Sequence, residues 1–296
     1  MKKKDLEGYI EGYLIKEQED EKAKKTLIHY RHIINMFVSS LPEENEITKI
    51  DFMCFKEKML EKYKPKTVSN YITIVNKFVK YAEIVTEKGI EQFEFSMLKD
   101  YKGNKTLKNI KLQQEASLKE VLEPIDLKRM LRMAKKLEEW DLYYIMKVIA
   151  YTGVRAEELK IFTVENLESN YIKVKNKGKV RNVIVPQDLR RDLLKYCKNA
   201  GITTGYIFPG KKSGTMLHST TIYKRLKKLA GQCRGVKKSK VHAHSFRHLF
   251  AIKYMEEYGN ISELADILGH SSIETTRIYT RTTDKMKRER MERMKY

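Results

Sequence analysis

Tyr279 stands nine residues after Gly269-His270 and thirty-two after the arginine of His244-Ser245-Phe246-Arg247-His248. An HxxR, then an LGH, then a TTxxYT places a potential nucleophile downstream of phosphate-binding cations. A phenol that attacks a phosphodiester keeps the bond energy in a phosphotyrosyl ester, so the cut strand is rejoined without ATP. With a reference pKa near 10, that phenol needs cations and a base close by. Two upstream segments belong to the same pattern. They are Thr152-Gly153-Val154-Arg155-Ala156-Glu157-Glu158-Leu159 and the turn Lys177-Gly178-Lys179. Each segment alone is a weak signal; their order and spacing carry the reading.

In these four segments the chain resembles the tyrosine recombinases, also called the phage integrase family. That group includes the Xer-type chromosome dimer resolvases and many mobile-element integrases. The resemblance covers about residues 122–282 at the level of motifs. It covers the N-terminal half only as a helical core-binding domain of suitable length. It implies a C-shaped clamp around duplex DNA, a 3′-phosphotyrosyl intermediate, a Holliday junction and a tetrameric synapse. The chain begins almost directly at its first helices, which suits a simple two-domain enzyme of Xer type or a small mobile-element integrase.

The resemblance also assigns roles. Arg155 and Arg247 match the two catalytic arginines. A pentavalent phosphorane concentrates charge on its non-bridging oxygens, and two guanidinium forks hold those oxygens while staying charged at any working pH. Fixed cations make a metal unnecessary, and no cofactor is expected. Lys177 matches the hairpin lysine that protonates the departing 5′-oxygen. Asn176 stands where the family pattern commonly has glycine, and the turn is one residue shorter, so Lys179 stays a rival for that role. His244 matches the HxxR histidine, a general acid/base expected near the tyrosine hydroxyl. His270 is expected to hydrogen-bond the scissile phosphate, Tyr279 to attack it, and Glu158 to orient the catalytic groups without reacting. A type IB topoisomerase-like relaxing enzyme shares this logic, and a catalytically silent DNA-binding protein is the alternative of another class. The HxxR, LGH and TTRIYT context favours the recombinase, and the full residue set argues against a silent site.

The charge distribution points to the same partner. The chain has 296 residues and a formal charge of +21. Residues 1–104 carry 19 Lys/Arg against 18 Asp/Glu; residues 105–296 carry 41 against 21. Between Leu193 and Met255 there are 14 Lys/Arg and no acidic residue. A polyanion explains that asymmetry, because each neutralised phosphate releases condensed counterions. A double-stranded DNA target is therefore expected. Lys64, Lys66, Lys105, Lys108, Lys179, Arg181 and Lys224 are candidate phosphate contacts. By resemblance the protein is a homo-oligomer, tetrameric in the synapse and monomeric or dimeric when free, acting with accessory recombination factors. No apolar run of about 18 residues exists and the N-terminus lacks a signal core. The expected location is the cytoplasm, at the nucleoid. Cys54, Cys197 and Cys233 are scattered, lack metal-ligand spacing, and read as free core thiols.

Periodicity supplies the elements. The expected fold is mainly α: a four-helix N-terminal domain (1–104), a basic linker (105–121), a mostly helical catalytic domain with a small antiparallel sheet (122–284), and a C-terminal helix or tail (285–296). Helical stripes run from Asp5 to about Glu19, Ala23 to Leu41, Ile50 to Tyr63, and from Thr67 after a break at Lys64-Pro65-Lys66. A helix begins near Pro124-Ile125-Asp126, and Asp141–Thr152 is apolar on all sides and therefore buried. Alternation in Tyr171–Lys175 and Val183–Val185 predicts a hairpin, and Ile207-Phe208 is a short strand candidate. Helices then resume from about Ser219. Met286, Arg290, Met291 and Met294 fall on one face of the tail, which family resemblance docks into a neighbouring protomer.

Overall fold

The computed structural model describes residues 1–94, 96–100, 107, 121–169, 171–176, 179–212, 214–270, 272–280 and 291–294. The chain forms two compact units, Met1–Gln114 and Glu115–Tyr296. The described residues are mostly helical, with one two-stranded sheet.

The first unit holds α1 (Lys3–Glu19), α2 (Lys24–Val38), α3 (Lys49–Lys62), α4 (Pro65–Lys88) and a short α5 (Met97–Asp100). The four long helices match the apolar stripes. Along α4, Val68, Tyr71, Ile72, Val75, Phe78, Val79 and Ala82 are all buried. They pack with Leu6 and Tyr13 of α1, Ile33, Ile34 and Phe37 of α2, and Phe52 and Phe55 of α3. Burying each large side chain contributes roughly 1.5–3 kcal/mol, which is what holds so charged a sequence together. The fourth helix starts at Pro65, not at Thr67. A proline in the first turn forfeits an N–H that has no helical partner anyway, so Pro65 opens the helix instead of breaking it. Cys54 departs from the expectation of core thiols: it is exposed, whereas Phe52, Phe55 and Met59 form the buried side of α3.

The second unit contains α6 (Pro124–Lys136), α7 (Trp140–Thr152), strands β1 (Tyr171–Asn176) and β2 (Lys179–Ile184), α8 (Gln187–Asn199), α9 (Ser219–Gln232), α10 (Ala243–Glu257) and α11 (Ile261–Leu268). Helix α7 is its centre: Leu142, Ile145, Met146, Val148 and Ile149 have no exposed surface. β1 and β2 pair antiparallel, from Tyr171 opposite Ile184 to Asn176 opposite Lys179. Ile207 and Phe208 form no strand. They are buried between two isolated bridges, Thr163 to Tyr206 and Pro209 to Met216.

The candidate turn Lys177-Gly178, most of the 105–121 segment, and tail residues 285–290, 295 and 296 lie outside the described residues. Within the tail, residues 291–293 are helical, and Met291 and Met294 are exposed.

Two glycines shape the end of the fold that matters most. Gly153 caps α7 with φ +66°, a left-handed conformation that L side chains resist. A Cβ there would also lie 2.6 Å from Phe250 of α10 and 2.9 Å from Leu268 of α11. Gly269 caps α11 at φ +63°, where a Cβ would meet the Arg181 side chain at 2.7 Å. The end of α7 approaches α10 and α11 closely only because Gly153 has no Cβ, and Arg181 of β2 lies against the end of α11 only because Gly269 has none.

Candidate active site

The C-terminal end of α11 organises the site. The last carbonyls of a helix lack intrahelical donors and carry the negative end of its dipole. Here three consecutive carbonyls each take an arginine. Arg181 Nε donates to Ile267 O at 3.0 Å, Arg247 Nη2 to Leu268 O at 2.8 Å, and Arg155 Nη2 to Gly269 O at 3.3 Å. Arg247 also donates through Nη1 to Gly153 O at 2.6 Å, tying the α7 cap to the α11 cap. Its side chain has no exposed surface, and its buried Nε has no hydrogen-bond partner among the described residues.

Glu158 sits between two of these arginines. Its carboxylate accepts from Arg181 Nη1 and Nη2 at 3.0 and 2.9 Å, from Arg155 Nη1 at 3.0 Å, and from the Arg155 backbone N–H at 2.8 Å. Burial pushes this carboxyl up, but the Arg181 fork, the Arg155 amide and both guanidinium charges outweigh that and hold it at about 2. Glu158 thus fixes the guanidiniums of both Arg155 and Arg181. Arg181 does not stand where a DNA phosphate contact was expected. Its side chain is only 11% exposed and its donors go to Glu158 and Ile267 O. The strand pleat explains why: Arg181 shares a face with the buried Val183 and Val185.

His270 follows the α11 cap. An arginine can only donate, so His270 Nε2 accepts from Arg247 Nη2 at 3.0 Å and its Nδ1–H donates to Thr276 Oγ1 at 2.8 Å. Burial, then Arg247 and Arg155, push the ring down to about 4, so it is neutral. Both ring nitrogens are thus committed inside the protein: His270 buttresses Arg247 instead of presenting an N–H to a phosphate. Thr276 O also accepts the Tyr279 amide at 2.9 Å, which links the histidine to the tyrosine turn Arg277–Tyr279.

Tyr279 is 6% exposed and packs with Ala251, Leu264 and Leu268. Burial lifts its phenol to about 12, against the pull of Arg247 and Arg155. Its hydroxyl lies 2.7 Å from His248 Nδ1. The sequence expectation placed His244 there. Instead His244 is exposed one helical turn earlier, its ring edge-on to His248 with centroids 4.4 Å apart. His248 is the residue that motif reasoning passed over, although its position four after His244 put both on one face of α10.

The remaining candidates fall elsewhere. Lys64 and Lys66 are exposed at the start of α4, and Lys224 is exposed on α9. Lys179 lies in β2 opposite Asn176. Lys177, Lys105 and Lys108 lie outside the described residues.

The charge balance of the cluster decides what it can do. Arg155, Arg181 and Arg247 bring three positive charges and Glu158 one negative, while His248 and His270 are neutral. Three minus one leaves two uncompensated positive charges beside a tyrosine hydroxyl in a partly desolvated site. Such a surplus is costly unless an anion completes it. Acid should therefore weaken the fold. The folded histidines titrate near 4, below their ordinary 6.5, so the stability they confer is full above 6.5 and is lost as pH falls to about 4. Glu158, held near 2, adds loss as pH falls from its ordinary 4.5 toward 2. Urea midpoints at pH 7.5 and pH 4.5 check this, and equal midpoints would contradict the desolvation of the two rings.

Residues 120–286 match the sequence profile of the phage integrase family. A tyrosine recombinase of Pseudothermotoga lettingae is 25% identical over 269 residues, covering 88% of this chain and 89% of its own. The tyrosine recombinase XerA of Pyrococcus furiosus is 26% identical over 279 residues, 92% of this chain and 88% of its own. Among solved structures, the XerH site-specific recombinase bound to palindromic difH substrate superposes with TM-score 0.68 at 21% identity, over 90% of this chain and 79% of that one. The Tn1549 transposon integrase in complex with circular intermediate DNA gives 0.69 at 17%, over 99% of both. At these identities the two structures establish the fold.

Proposed function

This chain belongs to the phage integrase family, and we propose from that premise that it recombines DNA at specific sites through a phosphotyrosyl intermediate on Tyr279. The observation that carries the reading is the cluster itself: two surplus positive charges close enough to act on the Tyr279 phenol, with Arg155 and Arg247 held by the carbonyls of two glycine-capped helix ends. A phosphodiester supplies the missing anion and the electrophile at once. Arg155 and Arg247 supply the positive charge that its non-bridging oxygens need, and Glu158 and His270 hold the arginines. The buried Nε of Arg247, which has no partner among the described residues, gives that side chain a donor still to be satisfied. Tyr279 attacks phosphorus, the 3′ end stays on the enzyme, and the 5′-oxygen leaves with a proton from the hairpin lysine, Lys177 or Lys179. Attack by a partner strand's 5′-hydroxyl reverses the chemistry and generates a Holliday junction, with neither metal nor ATP. Relaxation of supercoils and silent DNA binding are set aside, since the relatives matched are named as recombinases.

Lys64, Lys66 and Lys224, all exposed, contact target phosphates, joined by the lysines of the 105–121 segment. The enzyme acts in the cytoplasm on chromosomal or mobile-element DNA. Strand exchange requires a synapse of four protomers. The 285–296 tail, with Met291 and Met294 exposed, seats in the next protomer. An apolar groove of about 500 Å³, lined by Leu127, Leu131, Tyr151, Leu249 and Tyr254, is its receptor. Contacts of this head-to-tail kind close a ring. Deleting 285–296 is therefore expected to leave half-site binding within about twofold while abolishing the four-protomer complex on native gels. Normal synapsis by the truncated protein would remove the tail from this account. The reading as a whole is tested with a nicked half-site duplex, selected by the protein from a random-sequence pool, which traps the covalent adduct; a pair of full sites then tests for exchange products.

A further inference from the structure

We propose that His248 is the base that takes the Tyr279 proton during strand cleavage and returns it during rejoining. The proposal deepens the functional reading above and rests on Tyr279 being the nucleophile. Three observations carry it. His248 Nδ1 lies 2.7 Å from the Tyr279 oxygen, within direct proton-transfer distance. The contact is partly buried, so bulk water does not compete freely for the proton. His244, the histidine the HxxR pattern nominates, meets the edge of the His248 ring and has no hydrogen bond of its own to the phenol.

The surroundings keep the pair ready for transfer. His242, His244 and Arg247 face His248 from α10 and the residue before it, His270 from beyond α11, and Tyr279 from the last turn. Burial, then His244, His242, Arg247 and His270, push His248 down to about 4, so at neutral pH its ring is uncharged and has a lone pair to offer. Tyr279, at about 12, keeps its proton. Transfer between such partners is uphill on its own. It proceeds only as the oxygen–phosphorus bond forms and the phenol acidifies, which ties deprotonation to attack.

The step balances. A lone pair of Tyr279 Oη forms the bond to phosphorus while the phosphorus–O5′ bond breaks. The phenolic proton moves to His248 Nδ1, and the leaving O5′ takes a proton from the hairpin lysine. In rejoining, a 5′-hydroxyl attacks and gives its proton to that lysine. The departing phenolate recovers its own from His248.

A hydrogen bond that merely satisfies a buried phenol gives a different result from a base. The test compares wild type, His248→Asn, His248→Ala, His244→Asn and Tyr279→Phe in single-turnover adduct formation on the nicked half-site duplex, from pH 6 to 9.5. Asparagine keeps a polar atom near the Nδ1 position but cannot carry the proton. We expect His248→Asn to lose about 10²–10³-fold at pH 7. Its rate should rise about tenfold per pH unit, as hydroxide does the ionising, while wild type stays flat above pH 7. A duplex with sulfur in place of the bridging 5′-oxygen needs no proton on its leaving group. On that duplex the His248→Asn deficit should persist. The proposal fails if His248→Asn reacts within threefold of wild type, shares its flat profile, or is restored by the sulfur substrate. If Tyr279→Phe is dead while both His248 variants react normally, only the base assignment falls. An adduct in Tyr279→Phe, or none in wild type, removes the nucleophile and this proposal together.

Discussion

Tyr279→Phe is expected to bind its duplex as wild type does and to form no covalent adduct. The ring packs against Ala251, Leu264 and Leu268, and phenylalanine preserves that packing. What is lost is one hydroxyl and its 2.7 Å contact to His248. A single hydrogen bond of this kind contributes about 1 kcal/mol, too little to unfold the unit. Removing a nucleophile whose neighbours act only through it costs on the order of 10⁶-fold. Gel-shift affinity and denaturing-gel adducts, measured on the same preparation, separate the two effects. Weakened binding together with lost adduct would point to misfolding and leave the role of the hydroxyl unproved.

Arg247→Ala is expected to damage both fold and chemistry. The side chain has no exposed surface and joins Gly153 O, Leu268 O and His270. Truncation strands two buried carbonyls, empties a large volume and removes the cation that pulls hardest on the phenol. Breaking a buried charged network of this kind costs about 3–5 kcal/mol, which a urea melt resolves. Arg247→Lys isolates the chemical part. An ammonium keeps the charge but lacks the planar fork that reaches Gly153 O and Leu268 O together. That variant should fold, with a smaller loss of stability, and form adduct about 10²–10³-fold more slowly. A lysine variant with wild-type rate would show that charge alone suffices and that the bidentate geometry has no catalytic role.

Much of this site was legible in the chain because the chemistry restricts residue types and the glycines restrict backbone. Gly153 and Gly269 flank the motifs for a steric reason: a Cβ at either would strike a neighbour. The helices of the first unit were readable from their stripes, since a charged sequence folds only by turning one face inward. The errors have equally local causes. The charge of Arg181 alone suggests a phosphate contact, whereas the alternation of Val183 and Val185 puts it on the buried face of β2. Its partner Glu158, 23 positions away, shows only in three dimensions. At Pro65 a proline signal reads alike before and within a first turn, so the sequence does not distinguish a break from a helix start. His270 was pointed at the phosphate, whereas tertiary packing turns both its nitrogens to Arg247 and Thr276. Motif spacing selected His244, but the pitch of α10 brings His248 to the phenol.

The central claim is that one tyrosine among 18 carries the broken strand. The direct measurement traps the adduct on a nicked half-site duplex, digests protein and DNA, and locates the nucleotide by mass spectrometry. A nucleotide is expected on the tryptic peptide Ile278–Arg281, bonded to Tyr279. A nucleotide on any other tyrosine, serine or cysteine, or recombined DNA from a protein that never carries a nucleotide, would contradict it.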